Sequence, residues 1–199
     1  MLDSAKILSA KQGLAATSIE DIAATAGYTR GAFYSNFSDK QDLFIDLLRR
    51  DQEITLGEFA ALLRSDSPIE QTNFGMRELY CAYCRSTEGF MSWTEARMLG
   101  TRDTKFRAKL SKLLTNKRDR VSELISSFYQ SIGSPPPLAP QIMALGLMSL
   151  IEGVKLFELS SPSDMTAQAA DFILALFMDS IIMFGTSGSV KGSAAIPLA

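Results

Sequence analysis

The chain has 199 residues, 46% of them apolar and 21% charged, the balance of a packed globular protein and not of a disordered one. Its 20 Lys and Arg stand against 22 Asp and Glu, a net charge of −2, so a basic coat over the whole surface is excluded while a local nucleic-acid-reading face is not. No His occurs, which removes His-based acid–base catalysis, Ser-His-Asp and Cys-His nucleophiles and every His-ligated metal site; enzyme activity, a metal and a cofactor are all unexpected.

Two cysteines, Cys81 and Cys84, make no disulfide framework. The first residues lack the charged-then-apolar pattern of a signal peptide. The longest apolar run, Phe172 to Phe184, contains Asp179 and falls short of the ~20 residues a membrane span needs. A soluble chain in a reducing, cytoplasmic compartment, without a membrane partner, is expected.

Helical spacing recurs throughout and strand alternation does not, so the expected class is all-α. Short helices are predicted near 2–12, 18–25 and 29–36, then a long one from 39 to 64. Further helices follow near 68–86, 90–100, 103–131, 139–159 and 164–184. Thr17-Ser-Ile-Glu20 and Ser38-Asp-Lys-Gln41 read as capping boxes, and Ser67-Pro68 starts a helix with proline at its first position. Gly133 with Ser134-Pro-Pro-Pro137 closes one helix, and Ser160-Ser-Pro-Ser163 parts the last two. A Gly/Ser-rich flexible tail is expected from 185 to 199.

Within the first fifty residues, Ala23, Gly27 and Phe33 fall where a helix-turn-helix needs a small residue, a turn glycine and a core apolar residue. Ile19, Ile22, Phe33 and Phe37 then form a miniature core. That leaves Thr29, Arg30, Gly31, Tyr34 and Ser35 on the outer side of the third helix, a face suited to the major groove. Arg30 can pair bidentately with a guanine, and Tyr34 and Ser35 can hold phosphates. Thr17, Ser18, Asp39 and Lys40, at helix starts, can meet the backbone.

The stretch that includes Ile19-Glu-Asp-Ile-Ala-Ala-Thr-Ala-Gly27 and Thr29-Arg-Gly-Ala-Phe-Tyr-Ser-Asn-Phe37 resembles the signature of the TetR family of transcriptional regulators over residues 1–48. The resemblance implies base or phosphate contacts by Arg30, Gly31, Tyr34 and Ser35, and phosphate contacts by Thr17, Ser18, Thr29 and Lys40. Three features depart from the family. The first helix starts at about Met1, where the family usually carries a basic segment before it, and Ser9 stands where a core aromatic is common. Residues 1–48 also hold four cations (Lys6, Lys11, Arg30, Lys40) against six anions (Asp3, Glu20, Asp21, Asp39, Asp42, Asp46), which predicts modest DNA affinity and a shallow salt slope.

A second basic stretch, Arg102, Lys105, Arg107, Lys109, Lys112, Lys117, Arg118 and Arg120, shares its helix with Phe106, Leu110, Leu113 and Leu114 and reads as the wet face of an amphipathic helix. The last two helices are apolar nearly all round, with Ser149, Glu152, Lys155 and Glu158 as one outward line. Such helices need cover on all sides, so a homodimer interface through Leu147, Leu150, Ile151, Val154, Phe172, Leu176 and Ile181 is expected, in line with the four-helix interface the resemblance implies. A two-fold dimer spaces its reading helices by about 34–36 Å and predicts a near-palindromic operator.

The middle of the chain offers Met76, Tyr80, Tyr83, Phe90, Trp93 and Met98 as adaptable walls for a small, lipophilic effector, with plain core as the competing reading. Cys81-Ala-Tyr-Cys84 has too few ligands for zinc and no βαβ setting for a thioredoxin-like site; a thiol-responsive regulator and a pair of structural cysteines both stay open. The expected organisation is a helix-turn-helix DNA-binding domain over 1–48, with its motif at 18–37, and a ligand-binding and dimerisation domain over 49–184. The expected function is a dimeric repressor released from double-stranded DNA by a small molecule. A DNA-silent binding protein of the same fold and a helical enzyme using Glu88 and Glu95 are the alternatives from other classes.

Overall fold

The computed structural model describes residues 1–64, 75, 78–79 and 86–186, without the side chains of residue 178 and of residues 181–186. Its helices are α1 (Leu2–Ala16), α2 (Ile19–Thr25), α3 (Arg30–Tyr34), α4 (Lys40–Leu63), α5 (Thr87–Arg102), α6 (Thr104–Ser131), α7 (Pro140–Ser160) and α8 (Ala167–Thr186). No strand occurs among the described residues, and the all-α class stands. The helix expected near 68–86, with Ser67-Pro68, Cys81 and Cys84, lies almost wholly outside the described residues, as does the tail from residue 187.

Two helix starts fall one residue later than the capping patterns predict. Ser18, not Thr17, caps α2: its hydroxyl accepts from the Asp21 N–H at 3.0 Å, and the Asp21 carboxylate accepts from the Ser18 N–H at 3.4 Å. The Thr17 hydroxyl is already engaged, donating to the Gly13 carbonyl at 2.8 Å. At α4 the Asp39 carboxylate accepts from the Asp42 N–H at 2.7 Å, while Gln41 donates its amide to Asp103 at 2.9 Å.

The chain divides into two compact units, one of residues 1–57 and 83–117, the other of residues 58–82 and 118–199. In the first, Ile22 and Phe33 of the helix-turn-helix are sealed together with Ala5 and Leu14 of α1 and Leu43, Phe44 and Leu47 of α4, and Ile19 and Phe37 pack against them. Three short helices bury too little alone, so α4 supplies the floor on which α1, α2 and α3 rest. Ser9, in place of an aromatic, is buried and donates its hydroxyl to the Lys6 carbonyl at 3.1 Å. A second cluster joins Ile45 and Leu48 of α4, Trp93 and Ala96 of α5, and Phe106, Leu110 and Leu113 of α6.

Between these clusters lies a polar joint. Gly13 breaks α1 at φ +82° and ψ 156°, a conformation essentially confined to glycine. The break takes the Leu14 N–H out of the helical ladder, and the Glu95 carboxylate of α5 accepts it instead. A Cβ at Gly13 would stand 3.3 Å from a Glu95 carboxylate oxygen. The carbonyls of the last turn are satisfied from α4, where the Lys40 ammonium donates to Leu14 at 2.9 Å, Ala15 at 3.3 Å and Thr17 at 2.7 Å. Burial in this cradle pulls the Lys40 ammonium below the usual lysine range.

The α5–α6 corner is tied in the same manner. Asp103 accepts from the N–H groups of Lys105 at 2.9 Å and Phe106 at 3.0 Å, and the Arg107 guanidinium donates to the carbonyls of Gly100 at 2.6 Å and Thr101 at 2.9 Å. The Phe106 N–H and then Gln41 hold the Asp103 carboxyl below its ordinary value; the Lys109 hydrogen bond does the same, first among its causes, for Asp42. In the second unit, Ile125, Phe128 and Tyr129 of α6 pack on Met143 and Ala144 of α7. Gly133, at φ +66°, ends the α6 segment as expected: its N–H reaches the Gln130 carbonyl and that of Ser134 reaches Tyr129, a Schellman closure.

Gly13→Ala is expected to cost about 1–3 kcal/mol through its backbone conformation, with pressure on Glu95 added, and to lower the thermal midpoint accordingly. A midpoint equal to that of the parent chain speaks against a held joint. Because Asp42 and Asp103 ionise more readily folded than unfolded, both stabilise the fold above their unfolded pKa, and that contribution fades as the pH falls through their lower folded values. Melting recorded from pH 7 to pH 3 is therefore expected to show an acid limb below about pH 4 that Asp103→Asn flattens.

Candidate nucleic-acid interface

The turn between α2 and α3 is built by a second Schellman closure. The Gly27 N–H donates to the Ala24 carbonyl at 3.0 Å and the Tyr28 N–H to Ala23 at 2.8 Å, with Gly27 at φ +71°. Ala23 is buried, as a close helix crossing requires. Thr29 then caps α3, its hydroxyl accepting from the Ala32 N–H at 3.1 Å. Phe33 points into the core, where its ring meets those of Tyr34 at 5.4 Å and Phe37 at 5.5 Å. One buried anchor thus fixes the rotation of a five-residue helix.

That rotation leaves Thr29, Arg30, Gly31, Tyr34 and Ser35 exposed, all on the side the sequence predicts. The Ser35 hydroxyl donates back to the Gly31 carbonyl at 3.1 Å and keeps its acceptor side outward. Arg30 is engaged on two sides: one terminal nitrogen lies 2.8 Å from the Glu20 carboxylate of α2, the other donates to the Tyr34 hydroxyl at 3.4 Å. The guanidinium carbon stands 5.6 Å from the Tyr34 ring centre. The Tyr34 hydrogen bond, then the Glu20 charge, push the Arg30 pKa further up, so the side chain stays cationic.

Two expected contacts have other work. Thr17 is fully buried and its hydroxyl serves Gly13, so its side chain cannot reach a phosphate in this geometry. Lys40 spends its ammonium on three carbonyls. Among the cations of residues 1–48, Lys6 also pairs with Asp51 at 2.8 Å. Tyr28 and Asn36 are exposed as well, next to α3 in sequence.

The rival basic stretch behaves as an amphipathic helix. Phe106, Leu110 and Leu113 are buried, and several cations are paired locally: Lys109 with Asp42, Arg118 with Asp119 at 2.6 Å, and Arg120 with Glu123 at 3.7 Å. Lys117 covers the Trp93 ring at 4.2 Å.

Of the expected effector residues, the structure describes Phe90, Trp93 and Met98. Met76, Tyr80 and Tyr83 lie outside the described residues. Trp93 is core, Phe90 is half-buried and Met98 is 51% exposed, because five positions along a helix place Met98 on a different face from Trp93.

On α7 the expected outward line is also corrected. Lys155 is buried and holds Glu158 at 2.9 Å, whereas Leu145, Leu156 and Phe157 are exposed beside Gly146, Ser149 and Gly153. Of the expected interface residues, Leu147, Leu150 and Ile151 are half-buried, Phe172 is 70% and Leu176 58% exposed, and the Ile181 side chain lies outside the description. Val154 packs within its own chain, so it is not available to a partner in this geometry.

Residues 1–47 match the family described as bacterial regulatory proteins, tetR family. The chain is 36% identical over 87 residues to the HTH-type transcriptional regulator AcrR of Shigella flexneri, a match that spans 44% of this chain and 40% of that one. Among solved structures it is similar to the fatty acid degradation regulator FadR of Bacillus halodurans (TM-score 0.71, 14% identity, 89% of this chain and 95% of that one). It is also similar to the transcriptional regulator FadR of Bacillus subtilis (0.67, 16%, 95% and 97%) and to SmeT, the repressor of the Stenotrophomonas maltophilia multidrug efflux pump SmeDEF (0.59, 21%, 100% and 95%). At these identities the structural likeness is one of fold, while the N-terminal match is one of sequence and extends over the whole helix-turn-helix. Over residues 1–47, then, the chain carries a helix-turn-helix domain that matches the tetR family of bacterial regulatory proteins.

Proposed function

We propose that this chain is a homodimeric transcriptional repressor that inserts α3 into the major groove of a near-palindromic DNA site and leaves it when a small molecule binds. The observation that carries the reading is the division within α2 and α3: Ile22, Ala23 and Phe33 are sealed, while Arg30, Gly31, Tyr34 and Ser35 face solvent from one short helix. Arg30 supplies the base contact, bidentate to guanine, and Tyr34, Ser35, Thr29 and Ser18 supply phosphate contacts. Tyr28 adds an aromatic at the edge of the same surface.

Dimerisation is supported by the apolar side of α7 and α8 that one chain leaves uncovered, with Leu156, Phe157, Phe172 and Leu176 each more than half exposed. Patches of that kind on a soluble chain mark an interface, and Gly146 and Gly153, with open space around their Cβ positions, permit a close helix approach. In this reading residues 1–48 read DNA and residues 49–184 carry the effector site and the interface. The effector is lipophilic: the FadR neighbour of Bacillus subtilis was solved with stearoyl-CoA, and the body of this chain is apolar and Met-rich. Effector and operator weaken each other by the same factor, about 5–150-fold for a typical coupling.

Selection from random duplex DNA at physiological salt tests the reading. The parent chain is expected to enrich a palindrome that an Arg30→Ala, Tyr34→Ala double variant does not. A folded dimer that enriches nothing points instead to a DNA-silent binding protein. For the interface, Phe172→Asp with Leu176→Asp is expected to shift sedimentation from dimer to monomer and weaken operator binding at least tenfold; an unaltered dimer overturns this assignment of the interface.

A further inference from the structure

We infer that Glu20 is the specificity-determining partner of Arg30: it neutralises and orients the arginine so that Arg30 commits to a base edge and contributes little to sequence-independent phosphate binding. This rests on the DNA-binding reading above and assigns a role to a residue of the supporting helix. Glu20 lies in the first turn of α2, two residues after the Ser18 cap, and its carboxylate meets Arg30 at 2.8 Å across the α2–α3 turn. Both side chains are more than half exposed, so the pair is open to a duplex docked on α3. Tyr34 completes the holder from one turn further along α3, through its hydroxyl at 3.4 Å and its ring at 5.6 Å.

The charge balance of this surface gives the pair its meaning. Lys6 is tied to Asp51 and Lys40 to backbone carbonyls; of the other two cations of residues 1–48, Lys11 lies on α1 and Arg30 at the start of α3. Paired with Glu20, it presents a neutral unit to a passing phosphate, and a neutral unit releases no counterion. A guanine competes differently, offering two acceptors in one plane that match the guanidinium fork. The carboxylate therefore penalises loose electrostatic docking more than it penalises the base contact. Asp21, the adjacent acid, does not share this role, because its carboxylate is engaged by the Ser18 hydroxyl at 2.6 Å.

The test compares the full chain with Glu20→Gln, Arg30→Ala and the double variant, on the enriched duplex and on a scrambled duplex of equal length, across a salt series. Glu20→Gln is expected to tighten scrambled-duplex binding by about two- to fivefold and steepen its log–log salt slope by about 0.9, one further phosphate neutralised. Affinity for the enriched site rises less, so the specificity ratio falls. In the Arg30→Ala background the same substitution is expected to change neither slope nor ratio. An equal effect of Glu20→Gln with and without Arg30 overturns the inference in favour of plain carboxylate–phosphate repulsion, and so does an unchanged or rising ratio. A parent chain that binds no duplex at any salt overturns both the inference and the DNA-binding reading beneath it.

Discussion

A helix that is interrupted inside a protein leaves N–H and carbonyl groups without partners, and burying them unsatisfied costs more than almost any other local fault. In this chain the interruption falls at Gly13, directly before the helix-turn-helix, and three side chains share the repair. Glu95 takes the Leu14 N–H, Lys40 takes the carbonyls of the last turn, and Thr17 takes the carbonyl of Gly13. The joint sets where α1 ends and where Ser18 can begin α2, and it binds α1 to both α4 and α5. The placement of α3 depends on it, because Ile22 and Phe33 are seated against residues of α1 and α4 that the joint aligns.

The same economy governs the cations. A reader of charge alone would take the eight Lys and Arg between Arg102 and Arg120 for a nucleic-acid surface and pass over Arg30. In the folded chain several of the eight are tied to carboxylates, carbonyls or an aromatic ring, and the apolar side of their helix is core. Charge counts describe a segment; hydrogen-bond partners decide whether its charge is available. Arg30 is itself held, but by a surface carboxylate and a tyrosine, which orient it without removing it from solvent.

The second unit shows how an apolar helix can mislead. On α7 the polar residues at helical spacing suggested the solvent side, yet Lys155 is turned inward onto Glu158 and leucines with Phe157 lie outside. Amphipathic patterning identifies a solvent face only when one chain supplies the whole core. Where a second layer is to come from elsewhere, the uncovered face is the apolar one.

Much of the architecture was legible along the chain. Eight described helices fall close to the spans that periodicity predicts, Gly27 and Gly133 make the positive-φ closures expected of them, and Phe33 anchors α3 with Arg30, Tyr34 and Ser35 outward. These features are local: they depend on residues within a turn or two, and a linear text carries them. What only the tertiary structure decided are interactions between residues far apart in sequence. The caps moved to Ser18 and Asp39 because Thr17 was engaged by Gly13 and Gln41 by Asp103; Glu95, set down as a candidate acid, is a backbone acceptor for Leu14; Lys40, expected at a phosphate, holds carbonyls. No spacing rule encodes such partners, because a polar side chain goes to whichever unsatisfied group the packed helices place within its reach.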